Sequence, residues 1–395
     1  MGPSNSSIAA SRLPSLTGLR WLAALMVFAG HIGTEHVFQS PTHNRDWTMA
    51  FGEASSGVSF FFVLSGFVLV WSARSGDSPL RFWRRRVAKI YPSHVVMWGV
   101  AVLVAMLCWH DAVRPDYAVG NLFLLQPWIN VVKFSYSFDK PSWSLGCEAF
   151  FYLLFPFLLP LVKRASARVV QLIAIAIPVL MELSTVWATD HMSYLDGAWF
   201  TYMFPPVRSL EFLLGMLVAE LALRGRWRGP KLGAATVIVV AAYLATRSLG
   251  WFPLSMPERW WMAGLAAAYA VLIAAAAQAD MAGTRSLWRH PVLVWLGEVS
   301  FGFYLVHAFF INGVMRAFGR ENTGWSTGVA VAMIPVFLAV SIFLASLLHR
   351  YVELPMMRWI GPKRARGKRP APAAARRREV PVSRGERIPI EDTKI

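Results

Sequence analysis

An arginine and a histidine interrupt the first apolar segment, LTGLRWLAALMVFAGH, at Arg20 and His31. Eleven residues separate them, so on a helix they point within roughly 20° of one direction, with a rise of about 16 Å between them. Ionisable groups in such segments usually face a protein interior or a wet cavity. Glu35 follows His31 by one turn and could orient its imidazole, as carboxylates orient histidine bases. Structural roles stay open: Arg20 as an interfacial anchor, His31 as a packing residue and Glu35 as a solvated helix end.

Two later apolar segments carry a further carboxylate and a further imidazole. Glu148 lies near the beginning of WSLGCEAFFYLLFP, and His307 lies in the second half of WLGEVSFGFYLVHAFF. A tyrosine lies one turn from each, at Tyr152 and Tyr304. By the topology given below, three separate spans bring His31, Glu148 and His307 to a similar depth. This convergence is the strongest indication of a site, although packing residues could also produce it.

The elements that must position these side chains are apolar segments of about twenty residues, each long enough to cross roughly 30 Å of hydrocarbon. The chain is 56% hydrophobic and 15% charged. These features predict an all-α, polytopic membrane protein with about ten transmembrane helices. The predicted spans lie near residues 17–35, 57–74, 93–110, 144–163, 168–187, 204–223, 231–248, 260–279, 293–315 and 327–349.

Charge is distributed unevenly between the connections. The net charge of +17 arises mostly in a C-terminal tail and in the even-numbered connections, such as RFWRRRVAK (81–89), whereas the odd-numbered connections are acidic or balanced. The positive-inside rule therefore places both termini in the cytoplasm. This pattern argues against nucleic-acid binding. With the Ala- and Arg-rich composition, it predicts a multi-pass protein of a bacterial cytoplasmic membrane.

Three regions follow from this organisation: a polar N-terminal segment (1–12), a transmembrane domain (13–358) and a basic, Pro-rich cytoplasmic tail (359–395) that we expect to be disordered. Cys108 and Cys147 offer no metal ligand set, and whether they pair stays open. The sequence has no GxSxG, P-loop, HExxH or CxxC motif. We expect no metal.

Within the basic run RFWRRRVAKIYP, four closely spaced cations lie beside the membrane: Arg84, Arg85, Arg86 and Lys89. They could hold lipid phosphates or the phosphates of a nucleotide-containing cofactor, and residue types alone do not separate these readings. In the preceding span, Ser65 and Gly66 favour close helix packing.

Six segments in chain order resemble acyltransferase family 3, a family of integral-membrane O-acyltransferases. They are LTGLRWLAALMVFAGH, GVSFFFVLSGFVL, RFWRRRVAKIYP, WSLGCEAFFYLLFP, SFGFYLVH and HRYVELP, which together span roughly residues 13 to 358. The resemblance implies that His31, paired with Arg20, is catalytic, and that Arg86 and Lys89 help to hold acyl-CoA. Lys89 stands where arginine is usual, which weakens a bidentate phosphate contact. Ala149 replaces the second acid of the family's motif, so only Glu148 carries over.

The resemblance also implies a mechanism. A neutral His31 would take the proton of an acceptor hydroxyl as that hydroxyl attacks the thioester of acyl-CoA, which is a co-substrate and not a permanently bound cofactor. The expected site comprises His31 and Glu148 as catalytic residues, Arg20, Arg84, Arg85, Arg86, Lys89 and Trp143 as binding residues, and Ser65, Tyr152, Tyr304 and His307 as supporting residues.

The acceptor is less constrained than the donor. Length and composition resemble the macrolide antibiotic O-acyltransferases, which implies transfer of acetyl or another short acyl group to a secondary metabolite. An O-acetyltransferase of a cell-surface polysaccharide or glycolipid is the alternative. A proton-coupled transporter using His31 and Glu148 is an alternative of another class, although no repeat symmetry supports it. The expected partners are acyl-CoA, a hydroxyl-bearing small molecule or glycan, and membrane lipids, without nucleic acid.

Overall fold

The computed structural model describes residues 13–52, 56–74, 76–249 and 261–361. Within these ranges the protein is almost entirely helical and contains no strand. The predicted polar segment 1–12 lies outside the described residues, as does the predicted tail 359–395 except for its first three residues. Of these three, Trp359 is the last residue of a short helix and is therefore ordered.

The α-helices of the described ranges are numbered here in chain order. They are α1 (Pro14–Thr34), α2 (Pro41–Phe51), α3 (Ser56–Trp71), α4 (Pro79–Leu107), α5 (Pro115–Leu122), α6 (Val132–Ser135), α7 (Trp143–Arg164), α8 (Ala167–His191), α9 (Tyr194–Tyr202), α10 (Pro205–Leu223), α11 (Leu232–Leu249), α12 (Trp261–Met281), α13 (Pro291–Ala317), α14 (Thr327–Leu348) and α15 (Leu354–Trp359). A π-helical turn, His349–Glu353, joins α14 to α15.

Each of the ten predicted spans coincides with a helix. Among the described residues, eight helical segments are long and apolar enough to cross a membrane. The remaining two predicted spans correspond to α10 and α11. Within α10, Arg208 and Glu211 are buried and form an ion pair of 3.1 Å, so their charges face the bundle interior. The all-α, polytopic membrane fold is therefore confirmed, whereas the number of spans and the side of the termini stay predictions.

Helices α3 and α10 touch through their backbones. A Cβ atom on Gly66 would collide with the carbonyl of Phe212, and one on Gly215 would collide with the carbonyl of Val63. Small residues allow such close approach between membrane helices. Gly66 thus packs as its sequence context predicted.

Helices α1 and α13 are held together in a similar way near their N-terminal ends. A Cβ atom on Gly297 would collide with the carbonyl of Thr17. Further along the same pair, Trp21 and Phe28 of α1 pack against Phe303 of α13, with ring centroids 5.0 and 5.8 Å apart. This packing sets the register in which His31 and His307 meet.

The outer faces of several helices carry exposed apolar side chains. On α8, for example, Leu172, Ile175 and Val179 are exposed, and on α14 Phe343 is exposed. Apolar surface on this scale is typical of contact with lipid rather than water. The polar side chains described next lie on the opposite, inward faces.

Candidate active site

The face shared by Arg20 and His31 borders two neighbouring cavities. The first, here called the inner cavity, encloses about 890 Å³ of space not occupied by protein atoms. Its polar lining residues include Arg20, Ser65, Arg86, Lys89, Glu148 and Tyr152. Helices α1, α3, α4 and α7 therefore converge on it. With Tyr304, which also lines it, the inner cavity brings together seven of the twelve predicted site residues.

Within the inner cavity, Glu148 is bonded along its own helix. Its Oε2 atom accepts a hydrogen bond of 2.8 Å from the hydroxyl of Tyr152, as the one-turn spacing suggests. Ser65 Oγ lies 3.4 Å from the same hydroxyl. Trp83 Nε1 donates to the backbone carbonyl of Tyr152 and links α4 to α7. Glu148 thus lies among cations and hydroxyls.

Two of the four predicted binding cations of the basic run, Arg86 and Lys89, reach the inner cavity. The guanidinium of Arg86 lies over the rings of Phe82 and Tyr152, at 5.8 and 5.9 Å from their centroids. Its Nε atom is buried and forms no hydrogen bond among the described residues. Lys89 forms an ion pair with Glu353 of the π-turn. Arg86 therefore has hydrogen-bonding capacity left for a ligand, whereas the charge of Lys89 is compensated.

The other two cations engage groups of the chain itself. Arg85 forms a two-pronged ion pair with Asp77, which lies in the connection before α4. The bond from Arg85 holds the pKa of Asp77 below its ordinary value. Arg84 donates to the carbonyl oxygen of Ile360 at 3.2 Å. The basic run is thus divided, with Arg86 and Lys89 facing the cavity and Arg84 and Arg85 tied to neighbouring segments.

The second cavity, here called the His31 cavity, encloses about 920 Å³ of non-protein space. Its lining residues include His31, Glu35, Lys140, Trp143 and Tyr202. Val58 and Tyr304 line both this cavity and the inner cavity. The two cavities are therefore neighbours, separated by a thin wall. Trp143 lies on the His31 side of that wall, with its ring 4.8 Å from that of Tyr202.

The imidazoles of His31 and His307 are hydrogen-bonded to each other, with 3.2 Å between His31 Nδ1 and His307 Nε2. Each Nδ1 atom also lies near a carbonyl oxygen one turn earlier on its own helix: Val27 at 2.9 Å and Phe303 at 2.8 Å. Because a carbonyl oxygen only accepts, this arrangement assigns the hydrogen of each neutral ring to Nδ1. The Nε2 atom of His31 is then unprotonated, which is the form a general base requires.

Glu35 follows neither interpretation suggested by the sequence. It is buried, so it is not a solvated helix end, and its carboxylate does not bond the imidazole of His31. Instead, it accepts hydrogen bonds of 2.5 Å from Lys140 and 2.9 Å from Asn312. Glu35 joins α1 to α13 and to the segment before α7.

Tyr304 closes the wall between the two cavities. Its hydroxyl lies 2.8 Å from Ser144 Oγ and donates to the carbonyl of Pro141 at 3.2 Å. Ser144 Oγ lies 3.0 Å from the same carbonyl. These bonds attach α13 to the beginning of α7. The two cavities can therefore join here only if the hydroxyls of Tyr304 and Ser144 change their partners or the two helices move apart.

Sequence reasoning missed four polar residues that complete this arrangement: Lys140, Ser144, Asn312 and Glu353. Three of them lie in or beside segments already singled out, since Lys140 and Ser144 flank Trp143 and Glu353 lies in HRYVELP. Asn312 lies five residues after His307 on the same span. A search for polar side chains beside the predicted site residues could have found all four.

The described part of the chain contains no group of three or more His, Cys, Asp or Glu side chains that could hold a metal ion. Cys108 is exposed, Cys147 is buried, and both are free. The question whether they pair is therefore answered for this structure.

Comparison with known proteins assigns the chain to a family. Residues 13–350 match the family described as an acyltransferase domain, and the chain belongs to acyltransferase family 3. It is a multi-pass membrane O-acyltransferase.

Individual relatives differ in how far they match. The chain is 40% identical to acyltransferase MdmB of Streptomyces mycarofaciens, over 92% of this chain and 96% of the relative. It is 27% identical to exopolysaccharide production protein ExoZ of Rhizobium meliloti, over 67% and 78% of the two chains. It is 29% identical to peptidoglycan O-acetyltransferase OatA of Listeria monocytogenes, over 47% of this chain and 30% of the relative. No solved structure matches.

Proposed function

We propose that this protein transfers acetyl or another short acyl group from acyl-CoA to a hydroxyl of a secondary metabolite, with His31 as the general base. The observation that carries the proposal is the position of His31 Nδ1, 2.9 Å from the carbonyl oxygen of Val27 and 3.2 Å from His307 Nε2, in a cavity that adjoins a second, cation-lined cavity. With the hydrogen on Nδ1, the Nε2 atom of His31 can accept a proton.

The inner cavity is the proposed donor site. Arg20 and Arg86 line it, and the Nε atom of Arg86 lacks a protein partner. Guanidinium groups suit phosphate oxygens because they donate several hydrogen bonds in one plane. The rise of about 16 Å between Arg20 and His31 along α1 suits the long arm that separates the phosphates of acyl-CoA from its thioester.

In the proposed reaction, His31 Nε2 takes the proton of the acceptor hydroxyl while the hydroxyl oxygen bonds to the thioester carbonyl carbon. The carbon–sulfur bond then breaks, and the thiolate of CoA leaves with the proton that His31 had taken. His307 keeps the ring of His31 in place by accepting from Nδ1. The products are the acyl ester and free CoA.

Glu148 has a proposed role on the donor side. It lines the inner cavity with Arg20, Arg86 and Lys89, whereas His31 lines the next cavity. We therefore propose that Glu148 balances the charge of the cations that bind the donor and orients them. Tyr152 donates a hydrogen bond to Glu148, and Ser65 lies beside the same tyrosine hydroxyl. Trp143 is assigned to the His31 cavity, as a wall for the transferred acyl group.

A macrolide antibiotic is the proposed acceptor. Chain length and composition support it, as does the nearly full-length match to an actinobacterial acyltransferase. A cell-surface glycan is the second candidate, because relatives include a peptidoglycan O-acetyltransferase and an exopolysaccharide production protein. A transporter is not proposed, because the chain belongs to an acyltransferase family.

The test is an assay of purified protein in detergent with acetyl-CoA and either a macrolide or a glycoside. We expect acceptor-dependent release of free CoA and a loss of at least about 100-fold in kcat for His31→Ala, since a general base contributes that much or more. His191→Ala is the matched control, because His191 is exposed at the end of α8. An unchanged rate for His31→Ala would refute the assignment of the base.

A further inference from the structure

A third cavity adjoins the His31 cavity and has no part in the scheme above. This cavity, here called the vestibule, is partly open to solvent and comprises about 1000 Å³ of non-protein space. It lies where α4 ends, α13 ends and the segment before α7 passes. The residues of its lining used below are Trp109, Asp111, Tyr117, Tyr136, Lys140 and Asn312.

The vestibule and the His31 cavity share two lining residues, Tyr136 and Lys140. Lys140 is fixed at this boundary by its bond to Glu35, which Asn312 also binds. The inner cavity, the His31 cavity and the vestibule therefore form a series, and His31 lies in the middle member. A donor that fills the inner cavity leaves the vestibule for a second substrate.

Aromatic rings form the walls of the vestibule and are held in place by arginines. The guanidinium of Arg316 lies 4.5 Å from the ring centroid of Trp109, and that of Arg114 lies 4.1 Å from that of Tyr117. Phe309 lies beside Trp109, with 6.2 Å between centroids. Fixed aromatic faces suit the apolar faces of ring compounds, and tyrosine and tryptophan add polar edges for hydroxyls.

The charged groups of the vestibule are paired within the protein. Arg316 binds Asp111 through two bonds of 2.7 Å. Arg114 binds Asp116 at 2.6 Å, and Lys140 binds Glu35 at 2.5 Å. A ligand that enters meets aromatic faces and compensated ion pairs, so the vestibule favours a ring compound whose bound part carries no formal charge.

We propose that the vestibule is the acceptor subsite, which binds an uncharged, hydroxylated ring face and presents a hydroxyl past Tyr136 and Lys140 to His31 Nε2. This inference rests on the proposed acyl transfer. A macrolide lactone and a neutral pyranose share the required chemistry, and the experiment separates them.

A side cavity offers a competing route. It encloses about 690 Å³, is lined by Ala198 and Trp199, and shares Tyr136 and Tyr202 with the His31 cavity. The vestibule is favoured because it is larger and because its lining contains both Lys140 and Asn312, which bind Glu35 one turn after His31. The side cavity supplies the matched control.

The kinetic test compares Ala112→Trp with Ala198→Trp. Ala112 is exposed and lines the vestibule, so a large side chain there fills the cavity without disturbing the core. We expect Ala112→Trp to raise the KM for the acceptor about tenfold, with the KM for acetyl-CoA unchanged, and Ala198→Trp to change neither. Tylosin and methyl glucoside are the two acceptor probes. An increase caused by Ala198→Trp alone would overturn the inference.

A labelling test reports on the vestibule without turnover. Ala112→Cys is placed in a Cys108→Ser background, which removes the exposed native thiol and leaves Cys147 buried. We expect tylosin or methyl glucoside to slow labelling of Cys at position 112 by N-ethylmaleimide. If either probe slows labelling but the protein releases no CoA, the result would support ligand binding in the vestibule and refute the proposed acyl transfer. If a probe is acylated but does not slow labelling, the result would refute acceptor binding in the vestibule and leave the proposed acyl transfer standing.

Discussion

His31 Nδ1 and His307 Nε2 lie 3.2 Å apart, although 276 positions separate the two residues in the chain. The bond links the first predicted span to the ninth. In each of the two rings, Nδ1 also lies within hydrogen-bond distance of a backbone carbonyl oxygen one turn earlier on the same helix. His307 thereby orients the imidazole of His31 and accepts from Nδ1, whereas Nε2 is the proposed base. We regard His307 as a positioning residue.

Removing this support should reduce kcat more than it affects donor binding. For His307→Ala we expect a loss of roughly 10- to 100-fold in kcat, as for other partners that orient a functional histidine, with the KM for acetyl-CoA unchanged. His307→Gln, whose amide oxygen can accept from His31 Nδ1, should recover part of the loss. Steady-state kinetics of the two variants provide the measurement, and equal losses in both would contradict the positioning role.

Binding of acetyl-CoA should depend on the arginine that faces the inner cavity and not on its neighbour on the other side of α4. Arg86→Ala removes a guanidinium from the inner cavity and should raise the KM for acetyl-CoA at least about tenfold, since hydrogen bonds to charged groups contribute about 1.5–3 kcal/mol each. Arg85→Ala is the matched control, because Arg85 is paired with Asp77. Titration with acetyl-CoA measures both. A larger effect of Arg85→Ala would mean that phosphates bind on the other face of α4.

The glycine contact between α3 and α10 should be intolerant of a single methyl group. Gly66→Ala places a carbon against the carbonyl of Phe212, and we expect a loss of about 1–3 kcal/mol in the free energy of unfolding. Gly99→Ala on α4 is the control, because a Cβ there has no other atom within 4 Å. That change should be neutral or stabilising by up to about 1 kcal/mol. Thermal unfolding in detergent distinguishes the two, and equal Tm values would contradict the close approach.

The ion pair between Asp111 and Arg316 should make a small contribution to stability that depends on pH. Hydrogen bonds from Arg316 lower the pKa of Asp111 below its ordinary value of 3.8. A lowered pKa in the folded state gives a contribution that is complete well above pH 3.8 and is lost as the pH falls toward the folded-state value. Asp111→Asn should therefore lower stability near neutral pH, by less than about 1 kcal/mol for so exposed a pair. The difference in Tm from the parent protein should shrink below pH 3.8, and a difference that grows there would contradict this sign.

The predicted fold followed from local properties of the sequence. The length of an apolar run and the period of a helix depend on neighbouring residues, so the ten helical segments and the shared face of Arg20 and His31 could be predicted. The hydrogen bond between Tyr152 and Glu148 is equally local, since it joins two residues one turn apart.

The partners of the site residues depend on how helices are arranged in the bundle. Lys89 meets Glu353 across 264 positions, and Glu35 meets Lys140 across 105. The sequence predicted that His31, Glu148 and His307 lie at a similar depth in the membrane and therefore close together. Depth alone does not specify how each helix is rotated about its axis, and so it does not specify which of these side chains meet. The structure joins His31 to His307 and places Glu148 in the adjoining cavity.

The interval between Arg20 and His31 has a consequence for how this protein can vary. One residue inserted into α1 between them would rotate one relative to the other by about 100° and shift it by about 1.5 Å. Such an insertion would turn His31 away from His307 while Arg20 stayed in the inner cavity. Eleven residues make slightly more than three complete turns. The distance between Arg20 and His31 can therefore change only by whole turns if both side chains are to keep one face of α1.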